Sequence, residues 1–309
     1  MSYNGNFLVI LLGPTGVGKT DLSISIAKHF EAPIISADSR QFYQEMRIGT
    51  AAPTPSQLAA ANHFFIGNKS ITERYSCGMF EVDVLNLLET VFTSSRIALL
   101  VGGSGLYIDA VVNGIDDFPT PDPELRQALL SQLKNEGVAS LRAQLKILDP
   151  EYYGKVDLRN SQRVLKALEV CLQTGLTYTS FLTHRAKPRF FNSIFVGLNR
   201  PREELYRLIN QRVESMMAEG LLDEAKKLYP FRELNALNTV GYRELFSYLD
   251  GQTSLEEAIE LIKRNTRRYA KRQLSWWSRN KNITWFHPSQ LTEITEFIEK
   301  TIASYSAKN

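Results

Sequence analysis

"FLVILLGPTGVGKT", Phe7 to Thr20, decides the fold. An uninterrupted apolar run of this length, stopped by glycine, reads as a strand buried on both faces, the pattern of a parallel sheet. Gly13, Gly18, Lys19 and Thr20 complete the pattern G-x-x-x-x-G-K-[ST], and the following "TDLSISIAKHF" sets Leu22, Ile26 and Phe30 at helical spacing. Strand, glycine loop and helix in this order make an anion site. The loop Gly13, Pro14, Thr15, Gly16, Val17, Gly18, Lys19 and Thr20 is predicted to hold a phosphate or diphosphate. Backbone N–H groups and the helix N-terminus converge on the anion, Lys19 adds a point charge, and the Thr20 hydroxyl is a candidate Mg²⁺ ligand. The motif reports a phosphate and leaves the reaction open; ATP is among the ligands it admits.

Further along, "APIIS" reads as a second buried strand ending near Asp38, and "RIALLV", Arg96 to Val101, as a third running into "GGSG". Alternating strands and helices indicate a parallel sheet whose ligands bind at the carboxyl ends of the strands, so Asp38 and Ser104 are expected beside the phosphate loop. At "NGIDDFPTPDPELRQAL" three prolines punctuate the chain, and helical sequence follows to about Arg185 before "FFNSIFVGLNR" returns to strand character. The predicted fold is α/β: a P-loop NTPase-like parallel sheet core over residues 1–117 and 190–309, a mostly helical insertion over 118–189, and a helical C-terminal region.

With 309 residues, 43% hydrophobic and 22% charged, the chain has the composition of an ordered globular protein. Cys77 and Cys171 are far apart and form no CxxC, which disfavours a disulfide framework or a cysteine zinc site and fits a reducing cytoplasm. The N-terminus has no basic segment before its short apolar run, and no stretch is long enough to span a bilayer, so no membrane role is expected. The net charge of +3 is modest, but from Leu261 to Phe286 there is no Asp or Glu, while Lys263, Arg264, Arg267, Arg268, Lys271, Arg272, Arg279 and Lys281 crowd the window. Arg264, Arg268 and Arg272 recur every fourth residue, placing a cationic stripe on one helix, the footprint of a nucleic-acid phosphate backbone. His29, His63, His184 and His287 are scattered and have no metal-ligand spacing.

Among phosphate-handling classes, a GTPase is disfavoured because neither "NKSI" nor "NKNI" supplies the aspartate of N-K-x-D. A kinase or ATPase usually carries a metal-binding carboxylate at a further strand end, where this chain has "GGSG". A small-molecule or nucleoside kinase nevertheless stays open as an alternative, as does a non-catalytic RNA-binding switch.

At "ADSRQFYQEMRIGTAAPT", Ala37 to Thr54, the sequence resembles the bacterial tRNA dimethylallyltransferases, or IPP transferases. "GPTGVGKT", "LLVGGSGLYIDAVVNGID", "SQRVLKALEV", "LNTVGYRELFSYLDG" and "AKRQLSWW" extend the resemblance in order along the chain. It implies a channel that the tRNA anticodon stem-loop enters from one end and dimethylallyl diphosphate from the other. The prenyl group passes to N6 of the adenosine 3′-adjacent to the anticodon, with Mg²⁺. Ser104 stands where the family often has Thr, which retains the hydroxyl. The C-terminal zinc finger of eukaryotic members has no counterpart, pointing to the bacterial form; nothing calls for more than a monomer.

An exocyclic adenine amine must lose a proton as it is alkylated, and Asp38, at a strand end, is the candidate base. A metal-supporting or capping role for Asp38 is the alternative. Ser104 is a candidate hydrogen-bond partner at the reaction centre, and the resemblance adds Arg212 as the cation facing the leaving diphosphate. For tRNA the candidates are Asp38, Ser39, Arg40, Gln41 and Ser104 by the strand ends. On the insertion they are Arg126 and the helix segment Gln162, Arg163, Val164, Leu165 and Lys166. The resemblance contributes Asn238, Thr239, Val240, Gly241, Tyr242 and Arg243, and, at the end of the basic helix, Lys271, Arg272, Gln273 and Trp276. Of the adjacent tryptophans Trp276 and Trp277, one or both are expected in the core.

Overall fold

Among the described residues six strands form a single sheet: β1 (Phe7–Leu12), β2 (Ile34–Ser36), β3 (His63–Phe64), β4 (Ile97–Gly102), β5 (Asn192–Leu198) and β6 (Thr284–Phe286), in spatial order β3-β2-β4-β1-β5-β6. Every pairing is parallel. The computed structural model describes residues 5–183 and 185–306; His184 therefore lies outside the described residues. β1 is central and wholly buried, hydrogen-bonded to β4 on one side and β5 on the other. Its side chains alternate between two cores, Leu8, Ile10 and Leu12 on one face and Phe7, Val9 and Leu11 on the other. A strand covered on both faces has no polar side to show, which is why it reads as a continuous apolar run.

Contacts divide the chain into a core unit that runs to Val112 and resumes at Pro188, and an inserted unit, Asn113–Lys187, compared with 118–189 from the sequence. The inserted unit packs helices Pro123–Glu136, Val138–Leu148 and Ser161–Thr174 around Leu129, Leu141, Leu145, Val164, Leu165 and Leu168. Val164 and Leu165 are thus core residues, and the expectation that they touch tRNA is corrected: their apolar spacing serves the insertion's interior. Within the same unit the fully buried Glu169 accepts from Arg126 (2.9 and 3.0 Å) and Lys166 (3.4 Å). A buried carboxylate needs such partners. Arg126 and Lys166 are therefore engaged internally, while Gln162 and Arg163 remain exposed.

In the core unit, helix Lys19–Phe30 follows β1, and helix Leu255–Trp277, capped by a Ser254–Glu257 box, carries the basic segment. No helix of the described residues is long and apolar enough to cross a membrane. The carboxyl ends of β1, β2 and β4 lie side by side and deliver the phosphate loop, Asp38 and the "GGSG" turn to one edge. The approach is close at Gly102: a Cβ there would sit 2.2 Å from the Ala37 carbonyl oxygen and 2.5 Å from its carbon, both backbone atoms with no freedom to yield. Gly102→Ala is accordingly expected to cost about 1–3 kcal/mol or more. Urea unfolding monitored by circular dichroism checks this; an unchanged midpoint would mean the strand ends are not held together as described.

Candidate functional site

The phosphate loop leaves β1 at Gly13 and enters the next helix through Gly18, with Gly16 at φ 80° and Gly18 at φ 104°. Both angles are left-handed, which glycine adopts without a Cβ penalty and which turns successive N–H groups toward a common point. A Cβ on Gly16 would also meet Ile209 Cγ1 at 2.9 Å, because helix Arg202–Ala218 lies over the loop. That helix brings Arg212 to the site.

Two adjoining cavities occupy the edge of the core unit. One, of about 550 Å³, is lined by the loop residues Thr15, Gly16, Gly18, Lys19 and Thr20 together with Asp38. The other, of about 370 Å³, is lined by Ser39, Arg40, Asn238, Thr239, Gly241 and Arg272, among others. Thr15, Asp38, Thr50, Ala51, Arg212, Met216 and Tyr269 line both, so the two spaces meet at these side chains.

Asp38 and Arg212 are the charges at the junction, and Lys19 stands beside them in the phosphate-loop cavity. Enclosure of the Lys19 ammonium, joined by the nearby Arg212 charge and opposed by Asp38, lowers its pKa to about 7. The ammonium donates to the carbonyls of Gly13 (2.8 Å) and Pro14 (2.9 Å), spanning the mouth of the loop. Burial likewise pushes the Arg212 guanidinium below its ordinary value, with Asp38 and Glu219 pulling it back. Two partly enclosed cations lining one cavity favour a polyanion there.

Asp38 uses Oδ1 to accept from the N–H groups of Arg40 (2.9 Å) and Gln41 (3.4 Å). This fixes the carboxylate in the turn, so the capping role weighed from sequence is real for one oxygen. It does not involve Oδ2. The Ser104 hydroxyl accepts from Ser39 N–H (2.9 Å), tying the β4 turn to the residue after Asp38. Burial and the Asp38 charge, opposed by Ser104, Arg40 and Arg272, push the Tyr269 phenol up to about 12. Tyr269 is therefore a neutral phenol at physiological pH. Sequence reasoning passed over it; an aromatic residue set among the arginines of the basic stripe was the available signal.

Residues 48–51 wall the junction and are held from behind. Glu224 accepts from the N–H groups of Ile48 and Gly49 (both 2.9 Å) and from the Tyr242 hydroxyl (2.6 Å). A Cβ on Gly49 would lie 2.5 Å from the Tyr242 ring. Tyr242 is fully buried, so its expected tRNA contact is corrected to a buttress under this wall. Gln41 lines the phosphate-loop cavity, where its amide accepts from Ser36 (3.2 Å) and donates to the carbonyls of Thr50 (3.2 Å) and Ala51 (3.1 Å), so both of its N–H donors are spent on this wall. Arg212 donates a longer bond to the Ala51 carbonyl (3.4 Å), at a residue with φ 48°.

On helix Leu255–Trp277, Arg264, Arg268, Lys271 and Arg272 are exposed on one face. The acid-free window does not leave every cation unpaired. Lys263 bonds Glu214 (3.0 Å) and Glu260 (2.8 Å), and Arg267 donates to Asn210 (2.7 Å), because helix Arg202–Ala218 and the preceding turn of the same helix supply the acceptors. Trp277 is buried and Trp276 is 42% exposed, its Nε1 donating to Asp109 (2.9 Å). Gln273, expected on the tRNA face, is instead 6% exposed and bonded inward. Among the described residues no group of three or more His, Cys, Asp or Glu side chains stands ready to hold a metal, while Thr20 and Asp38 share the phosphate-loop cavity.

A family model described as IPP transferase matches residues 41–281, well over half of the chain. The chain belongs to the IPP transferase family. It is 55% identical over 291 residues to tRNA dimethylallyltransferase 1 of Phocaeicola vulgatus, covering 94% of this chain and 97% of that one. It is 52% identical over 295 residues to tRNA dimethylallyltransferase 1 of Bacteroides fragilis, covering 96% and 98%. Among solved structures, the full-length tRNA isopentenylpyrophosphate transferase of Bacillus halodurans superposes with a TM-score of 0.73 at 36% identity over 98% of both chains. A eukaryotic dimethylallyltransferase described as acting on tRNA superposes at 0.78 with 26% identity, over 93% of this chain and 75% of that one. The IPP transferase match opens at residue 41, after the phosphate loop and Asp38; the near full-length relatives extend the likeness across both.

The electrostatics of Lys19 make anion binding pH-dependent. A bound anion favours the charged ammonium and raises its pKa from about 7, so binding takes up a proton above that pH. Affinity is then at its fullest below about pH 7 and falls as pH rises, by at most about tenfold per unit. Sulfate, whose own charge is constant over this range, is the clean probe. Titration calorimetry from about pH 6 to about pH 9 is expected to record a declining affinity; a flat profile would contradict the assigned state of Lys19.

Proposed function

We propose that this chain is a prenyltransferase that moves the dimethylallyl group of dimethylallyl diphosphate to N6 of the adenosine 3′-adjacent to a tRNA anticodon, releasing diphosphate. The observation that carries the reading is the meeting of two cavities at Asp38 and Arg212, one built for a diphosphate and one edged by arginines and polar backbone. A group-transfer enzyme with two large substrates needs two compartments with the reacting atoms at their junction. Membership of the IPP transferase family and relatives named for tRNA dimethylallyl transfer support the same assignment.

The donor diphosphate binds at the loop N–H groups from Gly16 to Thr20, with Lys19 and Arg212 as counter-charges. As the allylic C–O bond breaks, both bridging electrons go to the diphosphate, and these cations stabilise the charge that collects there. The adenosine is swung out of the anticodon loop into the second cavity, as base-modifying enzymes require. Its amine attacks the allylic carbon, and the free oxygen of Asp38 accepts the proton. The exposed arginines of helix Leu255–Trp277 bind the tRNA backbone.

The residues fit a Mg²⁺ that arrives with the donor, because Mg²⁺ takes few protein ligands and completes its shell with phosphate oxygens and water. Thr20 would hold it, and when bound it would neutralise part of the diphosphate charge. A monomer acting in the cytoplasm completes the reading. The kinase alternative is not favoured, since the "GGSG" strand end offers no second metal carboxylate.

Incubation with unmodified tRNA and labelled dimethylallyl diphosphate, followed by nucleoside analysis, is expected to yield N6-dimethylallyladenosine. Asp38→Ala is expected to slow single-turnover transfer by ~10²–10⁴-fold while tRNA binding persists. No modified nucleoside from the unaltered protein would refute the function, and an undiminished rate in the variant would refute the role of Asp38.

A further inference from the structure

Gln273 stands in the apolar stripe of the basic helix, at the position between Ala270 and Trp277 where a hydrophobic residue would otherwise pack. Its amide is used at both ends. Oε1 accepts from Thr15 N–H of the phosphate loop (2.9 Å), and Nε2 donates to the Gly103 carbonyl of the "GGSG" turn (2.8 Å). The turn's glycines accommodate this helix: a Cβ on Gly103 would fall 2.3 Å from Gln273 Nε2, and one on Gly105 would fall 2.5 Å from the Trp276 ring. One turn of the helix therefore touches the loop after β1 and the loop after β4 with its inner face, while Lys271 and Arg272 face outward.

We infer that Gln273 is a positioning residue for the donor site. It pins the phosphate loop and the β4 turn in register with each other, from the helix whose outer face binds tRNA. The physical reason is that a single amide satisfies the buried Gly103 carbonyl and the part-buried Thr15 N–H together, with fixed geometry. Held in this way, the loop keeps the curvature that aims its remaining N–H groups at an anion. Removing the amide leaves a donor and an acceptor unpaired and frees the loop to re-pair elsewhere, so diphosphate binding should suffer while the outer face of the helix keeps its arginines. The inference rests on the reading of the loop as a diphosphate site and of the helix as a tRNA surface, and it replaces a direct tRNA contact by Gln273.

The test compares the unaltered protein with Gln273→Leu and Gln273→Glu, measuring inorganic diphosphate binding by calorimetry, anticodon stem-loop binding by fluorescence anisotropy, and steady-state kinetics. Gln273→Leu is expected to weaken diphosphate binding about tenfold and to raise the donor KM similarly, with stem-loop affinity within about twofold of the original. Gln273→Glu keeps the acceptor for Thr15 but turns a carboxylate onto the Gly103 carbonyl, and is expected to bind diphosphate no better than the leucine variant. A loss in stem-loop affinity with diphosphate binding unchanged would overturn the inference and restore a tRNA contact. Equal losses for both ligands, tracking a lowered melting temperature, would also overturn it, reducing Gln273 to a general stabiliser. Diphosphate binding is read without turnover, so a wild-type chain that transfers no prenyl group would refute the proposed function while the gap between wild type and variant still decides the role of Gln273.

Discussion

Two partly enclosed cations, Lys19 and Arg212, set close to Asp38 are the constraint on which the site depends. Lys19 and Arg212 are both lowered from their ordinary pKa by enclosure, Asp38 opposes the shift on each, and Glu219 opposes it on Arg212. An arrangement of this kind is held by the fold rather than by its own attraction. The parallel strand ends supply the hold. β1 delivers the loop, β2 delivers Asp38, and β4 delivers the turn that fixes Ser39 through Ser104. A bound diphosphate would supply the missing negative charge, which explains why a phosphate loop with an incomplete set of ATP-hydrolysis residues is well suited to receive a leaving group.

The rest of the core unit braces that edge. Glu224 and Tyr242 support residues 48–51 from one side, and Gln41 holds their carbonyls from the other. Helix Arg202–Ala218 covers the phosphate loop through Ile209 and reaches the junction with Arg212. Several residues within the recognisable motifs thus act on the wall of the site and do not enter it. A motif marks a segment that matters, and the burial of each side chain says how.

Much of the sheet was legible because a parallel strand buried on both faces must be continuously apolar; β1 and β4 follow that rule along their length, and β2 and β5 in the apolar part of theirs. β3 and β6 escaped because edge strands of two and three residues leave no run to detect. The loop, Asp38 and the position of Ser104 were legible from topology alone. Tyr269 was not, since a tyrosine at helical spacing looks the same whether it faces core, solvent or cavity. Val164 and Leu165 were misread although their spacing with Leu168 is that of a core stripe, because the whole motif was assigned a single role. Gln273 was opaque for a physical reason: a polar residue in an apolar stripe has meaning only through the backbone groups it satisfies, and those lie in loops far away in sequence.

The central claim is that two substrates meet at Asp38 from opposite compartments. It is tested most directly by a crystal structure of the chain with an anticodon stem-loop and a non-reactive thio analogue of dimethylallyl diphosphate. The account predicts the diphosphate on the loop N–H groups beside Lys19 and Arg212, the adenosine in the neighbouring cavity, and its N6 within hydrogen-bond distance of the free Asp38 oxygen. A diphosphate in the second cavity, or an adenosine amine directed away from Asp38, would contradict it.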